Sequence, residues 1–436
     1  MAINIGLGPR RSDSADSELT LKSVLTRPEH IQAVFKDSDK HSKAVDNNSG
    51  YLMSQILGQC VGLISREEWR SVRAVTEKPF HHSMSINYVS AIEHRTQQFF
   101  DELWATKGLA KGLIDPAEDL KLLPFWVVAE IIYGELSTEM EEQLRELAPL
   151  REALFKHVIQ GGLTRFQWSK YLPTEANRAL STFRSKWIVF NQWARQRAFS
   201  LGTGAPIVQM YEAAESGIIS HEQLYHTLDE MLYANLDVTI GGISWNLVFL
   251  AAHKETQARL RREVEEKKDA AEKQSAKLDQ YLLSSSSFLA ACISESARLK
   301  PLAAFSVPQS APTARVVGDF HFPAGTNFVI DSYALNIRNP YWGPDRAAYR
   351  PARFLERKGT ETRYNYWRFG FGPRQCMGKY VADLIIRVLL VHLVEKYELS
   401  LLKTGEEWAR DPETWINHPQ MQLKCELREK ALDGQE

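Results

Sequence analysis

The chain has 436 residues, of which 44% are hydrophobic, and its formal net charge is −1. This length allows two or three average domains or one large one, and the hydrophobic share is sufficient for a sizeable core. The balanced charge argues against a nucleic-acid-binding protein, which usually carries a basic excess.

The N-terminal end of the chain differs in composition from the rest. Residues 1–17 are polar, lack the apolar core of a signal peptide and are predicted to be disordered, whereas residues 18–436 are predicted to form a single domain. No segment contains the roughly 20 consecutive apolar residues of a membrane span. The four cysteines form no paired motif, which favours a reducing compartment. We therefore expect an intracellular, cytoplasmic protein with no membrane span in this chain.

The first predicted elements are a strand and a helix. Residues 18–26, "ELTLKSVLT", have the composition of a strand. Pro28 follows at a position that the first turn of a helix tolerates. Residues 85–105 then repeat apolar side chains at helical spacing, and the side chains predicted to share the buried face are Ile86, Val89, Ile92, Phe99 and Leu103.

Further helices are predicted through the middle of the chain. Residues 122–134 are so apolar that they indicate a buried core helix. Thr174 is predicted to cap the next long helix, which continues to residue 199. Residues 220–254 form the longest predicted helix. The charged residues 254–270 after it are predicted to form a solvent-facing helix that carries no chemistry.

The pattern changes after Pro301. Residues 314–335 alternate like strands and carry turn signals at Gly318 and Gly325. An irregular stretch then leads to an apolar helix over residues 379–399, and short strands are predicted near the C-terminal end. The expected fold class is therefore mainly α with small β-sheets (α+β).

The stretch "FGFGPRQCMGKY", residues 369–380, concentrates unusual residue types around one cysteine. Glycines allow the backbone to turn tightly and to approach a flat cofactor, and a helix starting after Gly378 would direct its positive end towards the Cys376 thiolate. Arg374 can reach an anionic group, and Phe369 can shield the sulfur. The alternative is a surface turn that contains a cysteine by coincidence. Average residue usage gives the spacing F-x-x-G-x-R-x-C-x-G a chance occurrence on the order of one in ten thousand.

This spacing, carried by Phe369, Gly372, Arg374, Cys376 and Gly378, resembles the haem-binding signature of the cytochrome P450 superfamily of haem-thiolate monooxygenases. The resemblance implies haem b (iron protoporphyrin IX) as the cofactor and Cys376 as the axial iron ligand. It also implies the cytochrome P450 fold, in which the haem lies between a long distal helix and the proximal cysteine loop and helix.

Two further motifs are similar to those of this family and occur in the same order. Glu295 and Arg298 match its Glu-x-x-Arg motif, and at this spacing they share one helix face. Residues 351–354, "PARF", match its P-E-R-F segment except at Ala352. The resemblance implies that Arg353 joins Glu295 and Arg298 in a buried structural triad. The alternative for the first pair alone is an ordinary surface ion pair.

The resemblance also implies how the haem propionates are held. Trp69 and Arg73 match the family's W-x-x-x-R motif, whose indole N–H and guanidinium bind propionates. The alternative is a tryptophan that packs in the core. The family usually has an arginine near the position of Gln309. A glutamine can only hydrogen-bond to a propionate and adds no charge. We therefore expect Trp69, Arg73 and Arg374 to provide most of the anchoring.

The long helix departs from the family pattern where oxygen is activated. Asp237 matches the family's acid, but Val238 replaces the alcohol that usually follows it. Thr239 lies one residue further and about 100° around the helix. Activation of oxygen at a haem requires protons, and valine cannot donate one. The expected catalytic residues are Asp237 and Thr239. Two alternatives stay open: ordinary oxygenation through a different relay, or a ring closure, coupling or desaturation.

The stretches "ANLDVTIGGISW" and "FSVPQSAPT" look like those of filamentous-fungal secondary-metabolite members of the family. The resemblance implies a mid-sized apolar or aromatic substrate, with cyclic dipeptides (diketopiperazines) as one class, and a pocket formed by Ala234, Val238, Phe305 and Val307. It implies O2 and an NADPH-dependent reductase as partners, and the surface near Arg368 and Lys379 is where an acidic face of the reductase is expected to bind. It also implies an endoplasmic-reticulum location for a form that carries an N-terminal anchor. The alternatives are an isomerase or peroxide-driven enzyme that needs no reductase, and a non-catalytic haem sensor.

Overall fold

The computed structural model describes residues 22–43, 50–106, 108–273, 277–403, 408 and 416–428. Within these ranges the α-helices are α1 (Pro28–Phe35), α2 (Gly50–Leu57), α3 (Arg66–Thr76), α4 (His82–Ser85), α5 (Val89–Thr106), α6 (Leu122–Tyr133), α7 (Thr138–Gln160), α8 (Glu175–Ser200), α9 (Pro206–Glu215), α10 (His221–Ala252), α11 (Lys254–Glu272), α12 (Leu278–Leu283), α13 (Phe288–Leu299), α14 (Arg353–Glu356), α15 (Gly359–Thr362) and α16 (Lys379–Lys396). The predicted disordered segment, residues 1–17, lies outside the described residues.

The strands form three small sheets. They are β1 (Lys22–Leu25), β2 (Ser42–Lys43), β3 (Leu113–Ile114), β4 (Gln309–Ser310), β5 (Arg315–Val317), β6 (Phe320–Phe322), β7 (Asn327–Ile330), β8 (Tyr397–Leu401) and β9 (Leu423–Leu427). The largest sheet has the order β1-β7-β4-β2, the second has the order β3-β9-β8, and β5 pairs with β6 in a hairpin. The predicted class, mainly α with small β-sheets, is confirmed.

The long helix α10 is the element around which the core is organised. Ser220 and Gln223 form a capping box at its start, which satisfies N–H groups that a helix end leaves unpaired. Along its length α10 packs against α6, α13, α16 and β8. Helices α10 and α16 both contribute buried side chains to the same apolar cluster.

Most predicted elements appear where the sequence places them. Helix α1 begins at Pro28, and the Thr174 hydroxyl accepts the N–H of Asn177 at 3.2 Å to cap α8. Helix α6 is buried along nearly its whole length, as its composition indicates. No single helix in the described part of the chain is long and apolar enough to cross a membrane; only α10 and α11 together, with a bend of 109°, pass such a test.

The predicted apolar face of residues 85–105 was wrong at its first position. Ile86 is 46% exposed because it lies in a 3₁₀ turn (Ile86–Tyr88) before α5 begins, so it does not share the helix's buried face. Phe100, which we did not predict, is buried on that face, and Phe99 only packs against it. The charged side chains of α11 are exposed or half-buried, as predicted, while the uncharged Gln257 is buried and donates to the carbonyl groups of Leu250 and Leu399.

Candidate active site

The cysteine loop is held in a tight conformation by its own backbone and by α1. The N–H of Cys376 donates to the Phe369 carbonyl at 2.7 Å, which closes the loop. Gly372 has a φ of +70°, and a Cβ there would lie 2.1 Å from the Phe35 carbonyl oxygen. Only glycine therefore allows the loop to rest against the end of α1. Gly378 follows the cysteine as the N-cap of α16.

The Cys376 thiol faces the interior. Cys376 is exposed. Nevertheless, the surrounding protein removes water from the thiol, and this effect is the largest influence on its pKa, which it raises. Both facts fit a side chain that lines a recess in the protein and is surrounded by other residues. Three influences lower this pKa and favour the thiolate: a hydrogen bond from the backbone N–H of Gly378, and the positive charges of Arg73 and Lys379. A thiol at the start of a helix and turned inward is a suitable metal ligand.

A cluster of cationic groups lies beside this loop. The Arg374 guanidinium is 5.0 Å from the centre of the Trp69 ring, and its Nη2 donates to the Ile64 carbonyl at 2.5 Å. Its Nη1 is buried and has no hydrogen-bond partner among the described residues. Arg73 contacts the same loop, since its Nη1 donates to the Gln375 carbonyl at 3.3 Å. The structure therefore brings Trp69, Arg73 and Arg374 together, as predicted, around a buried donor that an anion would satisfy.

The sequence analysis missed two charged residues of this cluster. Lys43 lies directly opposite Gln309 in the β2–β4 pair, so both side chains point to the same face of the sheet. Burial and then the Arg374 charge lower the pKa of Lys43 to about 7. Glu230 on α10 accepts the N–H of Gly62 at 2.9 Å, and burial raises its pKa. No local motif marks either residue, because strand pairing and helix packing bring them here.

Glu295, Arg298 and Arg353 form a fully buried network. Arg298 Nε lies 2.7 Å from one carboxylate oxygen of Glu295, and Arg353 Nε lies 2.9 Å from the other. Each guanidinium also donates to a backbone carbonyl, Arg298 to Asn336 at 2.8 Å and Arg353 to Trp342 at 2.7 Å. The set therefore links α13, α14 and the irregular stretch that leads to the cysteine loop.

The turn of α10 at residues 237–239, here called the distal turn, carries three of the predicted residues, which differ in exposure. Asp237 and Val238 are partly exposed, whereas Thr239 is only 5% exposed. At this turn the Val238 side chain is therefore accessible to a ligand, whereas the Thr239 side chain is buried. Burial raises the pKa of Asp237, while Lys121 and His418 lower it. Its carbonyl oxygen lies 2.6 Å from Nε2 of His418, a residue that the sequence analysis missed.

The remaining predicted pocket residues follow α13. Phe305 is 51% exposed and Val307 is 44% exposed, and the segment is held by the N–H of Ser306, which donates to the Ile330 carbonyl at 3.1 Å. These apolar side chains are available to a ligand. The side chain of Ala234 lies outside the described part of the structure.

One expected docking residue has a different role. We expected Arg368, with Lys379, to present positive charge to an acidic reductase. Arg368 Nη2 instead lies 2.7 Å from Asp383 of α16, and its guanidinium packs 4.5 Å from the centre of the Phe369 ring. Arg368 therefore fixes the cysteine loop to α16.

The donor set fits a haem. An inward-facing thiol at a helix start suits the iron, and a buried, unpartnered arginine N–H beside an indole and further cations suits the propionates. Cys376 would bind the iron, and Arg374, Arg73 and Trp69 would hold the propionates.

Comparison with known proteins agrees with this geometry. The cytochrome P450 family model matches residues 20–425. The cytochrome P450 monooxygenase aclC of Aspergillus oryzae is 60% identical over 409 residues, which cover 93% of this chain and 82% of that relative. The cytochrome P450 monooxygenase gliC of Aspergillus fumigatus is 37% identical, over 92% of this chain and 80% of its own. A zebra fish cytochrome P450 solved with abiraterone superposes with a TM-score of 0.74 over 98% of this chain and 96% of that chain; at 14% identity it shows the fold alone. The chain therefore belongs to the cytochrome P450 family and is an enzyme of the monooxygenase type.

Proposed function

We propose that this enzyme binds haem b through Cys376 and oxidises a mid-sized, largely apolar or aromatic secondary metabolite. The observation that carries the proposal is the Cys376 thiol, surrounded by protein, in the same loop as Arg374, whose Nη1 has no hydrogen-bond partner among the described residues. Bound haem supplies the oxidation of the substrate by O2, with two electrons from a separate NADPH-dependent reductase.

The side chains of this chain have separate tasks in that reaction. Arg374, Arg73 and Trp69 hold the propionates and so fix the orientation of the haem. Asp237 is the carboxyl group assigned to proton delivery, and burial raises its pKa while the charges of Lys121 and His418 lower it. The Glu295 network supports the cysteine loop from behind.

The pocket favours a particular class of substrate. Val238, Phe305 and Val307 offer apolar contact, while Asp237, next to Val238 on α10, provides a carboxyl group. A molecule with apolar or aromatic side chains around a hydrogen-bonding centre matches this arrangement. Cyclic dipeptides have that composition, with two amide N–H groups in a small ring. We propose them as the substrate class.

The first experiment tests the iron ligand. The reduced, carbon-monoxide-bound protein should show the strongly red-shifted Soret band of thiolate ligation, and Cys376→Ala should abolish that band. Cys425→Ala is the matched control, because Cys425 is a buried, free cysteine of β9 and should leave the band unchanged. A colourless wild-type protein after expression with ample haem, or an unchanged band in Cys376→Ala, would refute the proposal.

The second experiment tests the substrate and the electron source. A panel of cyclic dipeptides is titrated into the ferric protein, and those that change its absorption spectrum are incubated with NADPH and a fungal reductase. We expect a product that contains one oxygen atom from O2 or that is oxidatively cyclised. No spectral change with any cyclic dipeptide would contradict the substrate class.

The placement of Val238 favours a second candidate function. Because Val238 presents no hydroxyl at the distal turn and Thr239 is buried, the enzyme could work without reductase, as an isomerase or with peroxide. Product formed without NADPH would favour this candidate. Haem binding with no product under either condition would favour a sensor.

We also infer an intracellular location. All four cysteines are free in the structure, as is usual for a reducing compartment. Thiol labelling of the protein taken directly from cells should modify unfolded chains at all four positions; a disulfide would contradict the location.

A further inference from the structure

The segment Ile416–His418 is anchored between α10 and the residues that follow α13. The N–H of Asn417 donates to the Leu302 carbonyl at 2.9 Å, and its side-chain amide donates to the Pro301 carbonyl at 3.1 Å. The indole N–H of Trp245 on α10 donates to the Asn417 carbonyl at 2.7 Å. Three hydrogen bonds to buried groups therefore fix the position of the residue that follows, His418.

A glycine of α10 makes room for this segment. A Cβ at Gly241 would lie 2.9 Å from Cδ2 of His418, 3.0 Å from Cδ2 of Leu302 and 3.1 Å from Cγ2 of Ile416. Contacts of that length are shorter than side chains normally tolerate, so any other residue would push the segment away from the helix. Glycine costs helix stability, and here it allows the imidazole to reach the backbone of α10.

His418 contacts the helix at the turn that carries the acid. Its Nε2 lies 2.6 Å from the carbonyl oxygen of Asp237, and the residue is only 6% exposed. A carbonyl oxygen only accepts, so Nε2 carries the hydrogen. The same carbonyl lies within the continuous helix α10, where the backbone N–H of Gly241 is its ordinary donor. A second donor at this point reorients the carbonyl and the turn.

We propose that His418 is a positioning residue that holds the Asp237–Val238 turn of α10 in place for oxygen activation, a task for which Val238 offers no hydroxyl. The inference rests on the proposed monooxygenase function. His418 acts through the backbone of Asp237, and so fixes where the Asp237 carboxyl group is placed. Loss of the imidazole N–H frees the turn to move, so protons are delivered less directly.

Two nearly isosteric variants separate the hydrogen bond from the bulk of the side chain. In His418→Gln an amide N–H can replace the Nε2 donor, whereas His418→Met keeps a similar volume without a donor. Deuterium exchange of a peptide covering residues 236–245 should be about fivefold faster in His418→Met than in wild type, the effect of losing one net hydrogen bond. His418→Gln should exchange at nearly the wild-type rate.

Turnover provides the second readout and needs no substrate. With NADPH and a reductase, His418→Met should release about twofold more H2O2 per NADPH than wild type, since a misplaced acid delivers protons less efficiently. His418→Gln should restore the wild-type ratio. His253→Met is the matched control: it removes another histidine contact to α10, from Nδ1 to the Phe249 carbonyl at 2.9 Å, at the far end of the helix.

Each outcome has a clear meaning. Equal exchange and equal H2O2 release in wild type and His418→Met would overturn the proposal, and so would an identical change in His253→Met. Equal defects in His418→Gln and His418→Met would show that packing, not the hydrogen bond, matters, which also overturns it. If wild type binds haem but consumes no NADPH, the proposed function fails, while the exchange comparison still tests the contact.

Discussion

Replacing Glu295 by glutamine tests whether the buried network supports haem binding. The carboxylate lies between two fully buried guanidinium groups, those of Arg298 and Arg353. It also accepts the N–H of Arg350 at 3.0 Å. Glu295→Gln keeps the shape of the side chain but removes its charge and one of its acceptor oxygens.

The geometry gives the size of the expected effect. Arg353 retains Asp345 at 3.2 Å and the Trp342 carbonyl, whereas Arg298 retains the Asn336 carbonyl and the Trp342 ring at 5.0 Å. At least one cation is then left buried without an anion. Breaking a buried pair in this way costs about 3–5 kcal/mol of the free energy of unfolding.

The assay is denaturant unfolding followed by both tryptophan fluorescence and haem absorbance. Glu356→Gln is the matched control, because Glu356 pairs with Arg350 on the surface, where a pair contributes about 0–1 kcal/mol. We expect Glu295→Gln to lower the midpoint strongly and to lose haem, and Glu356→Gln to resemble wild type. Normal haem content and an unchanged midpoint in Glu295→Gln would refute the structural role.

Four further predictions concern single positions. Gly241→Ala should displace the segment 416–418 and lower the fraction of NADPH electrons that reach product. Gly242→Ala should be tolerated, because its new Cβ meets only Ile386 Cδ1, at 3.4 Å. Equal coupling in the two variants would contradict this account of the packing. Val238→Thr should raise the share of hydroxylated product in a mass-spectrometric assay if a hydroxyl at that position is what limits proton delivery, and an unchanged product ratio would show that it does not. Lys43→Met should speed the transfer of haem to an apo-globin about tenfold, since one charged hydrogen bond to a propionate is lost. An unchanged rate would show that Lys43 does not bind the propionates. Burial lowers the pKa of His226 to about 4, so between pH 6.5 and pH 4 the unfolded chain binds a proton at this residue that the folded one does not. The contribution of His226 to stability should be complete above pH 6.5 and fall by about 1.4 kcal/mol per pH unit towards pH 4; denaturant titrations at several pH values should show His226→Gln to differ from wild type by one proton in this range, and equal slopes would contradict the burial of a neutral imidazole.

The parts of the fold that depend on local chemistry could be predicted from the sequence. Pro28 and Thr174 mark helix starts because their backbone and side-chain properties act within one turn. Ile86 was assigned to a buried face incorrectly, since periodicity does not show that a 3₁₀ turn precedes α5. The elements were therefore predictable, and their exact boundaries were not.

The candidate site also contains residues that the sequence could predict and residues that it could not. Cys376, Arg374 and the Glu295 motif lie in recognisable spacings, so the sequence was sufficient to select them. Lys43 and His418 lie in no motif: one reaches the site through the pairing of β2 with β4, and the other through a turn anchored on α10. Their roles depend on contacts between residues far apart in the chain, and a single sequence carries no signal of such contacts.

We propose that the charges around Arg374 compensate for the neutral Gln309 in this chain. A neutral residue there removes one cation from the expected propionate site, but Lys43 lies directly across the strand pair and adds one back. The low pKa of Lys43, about 7, arises because burial and the Arg374 charge oppose its protonation. Glu230 offsets this only in part, as its own pKa is raised by burial. Two anionic propionates would favour the charged form of Lys43 and satisfy the unpartnered N–H of Arg374. The proposed haem would therefore relieve the repulsion between Lys43 and Arg374, and these two cations would in turn help to hold it.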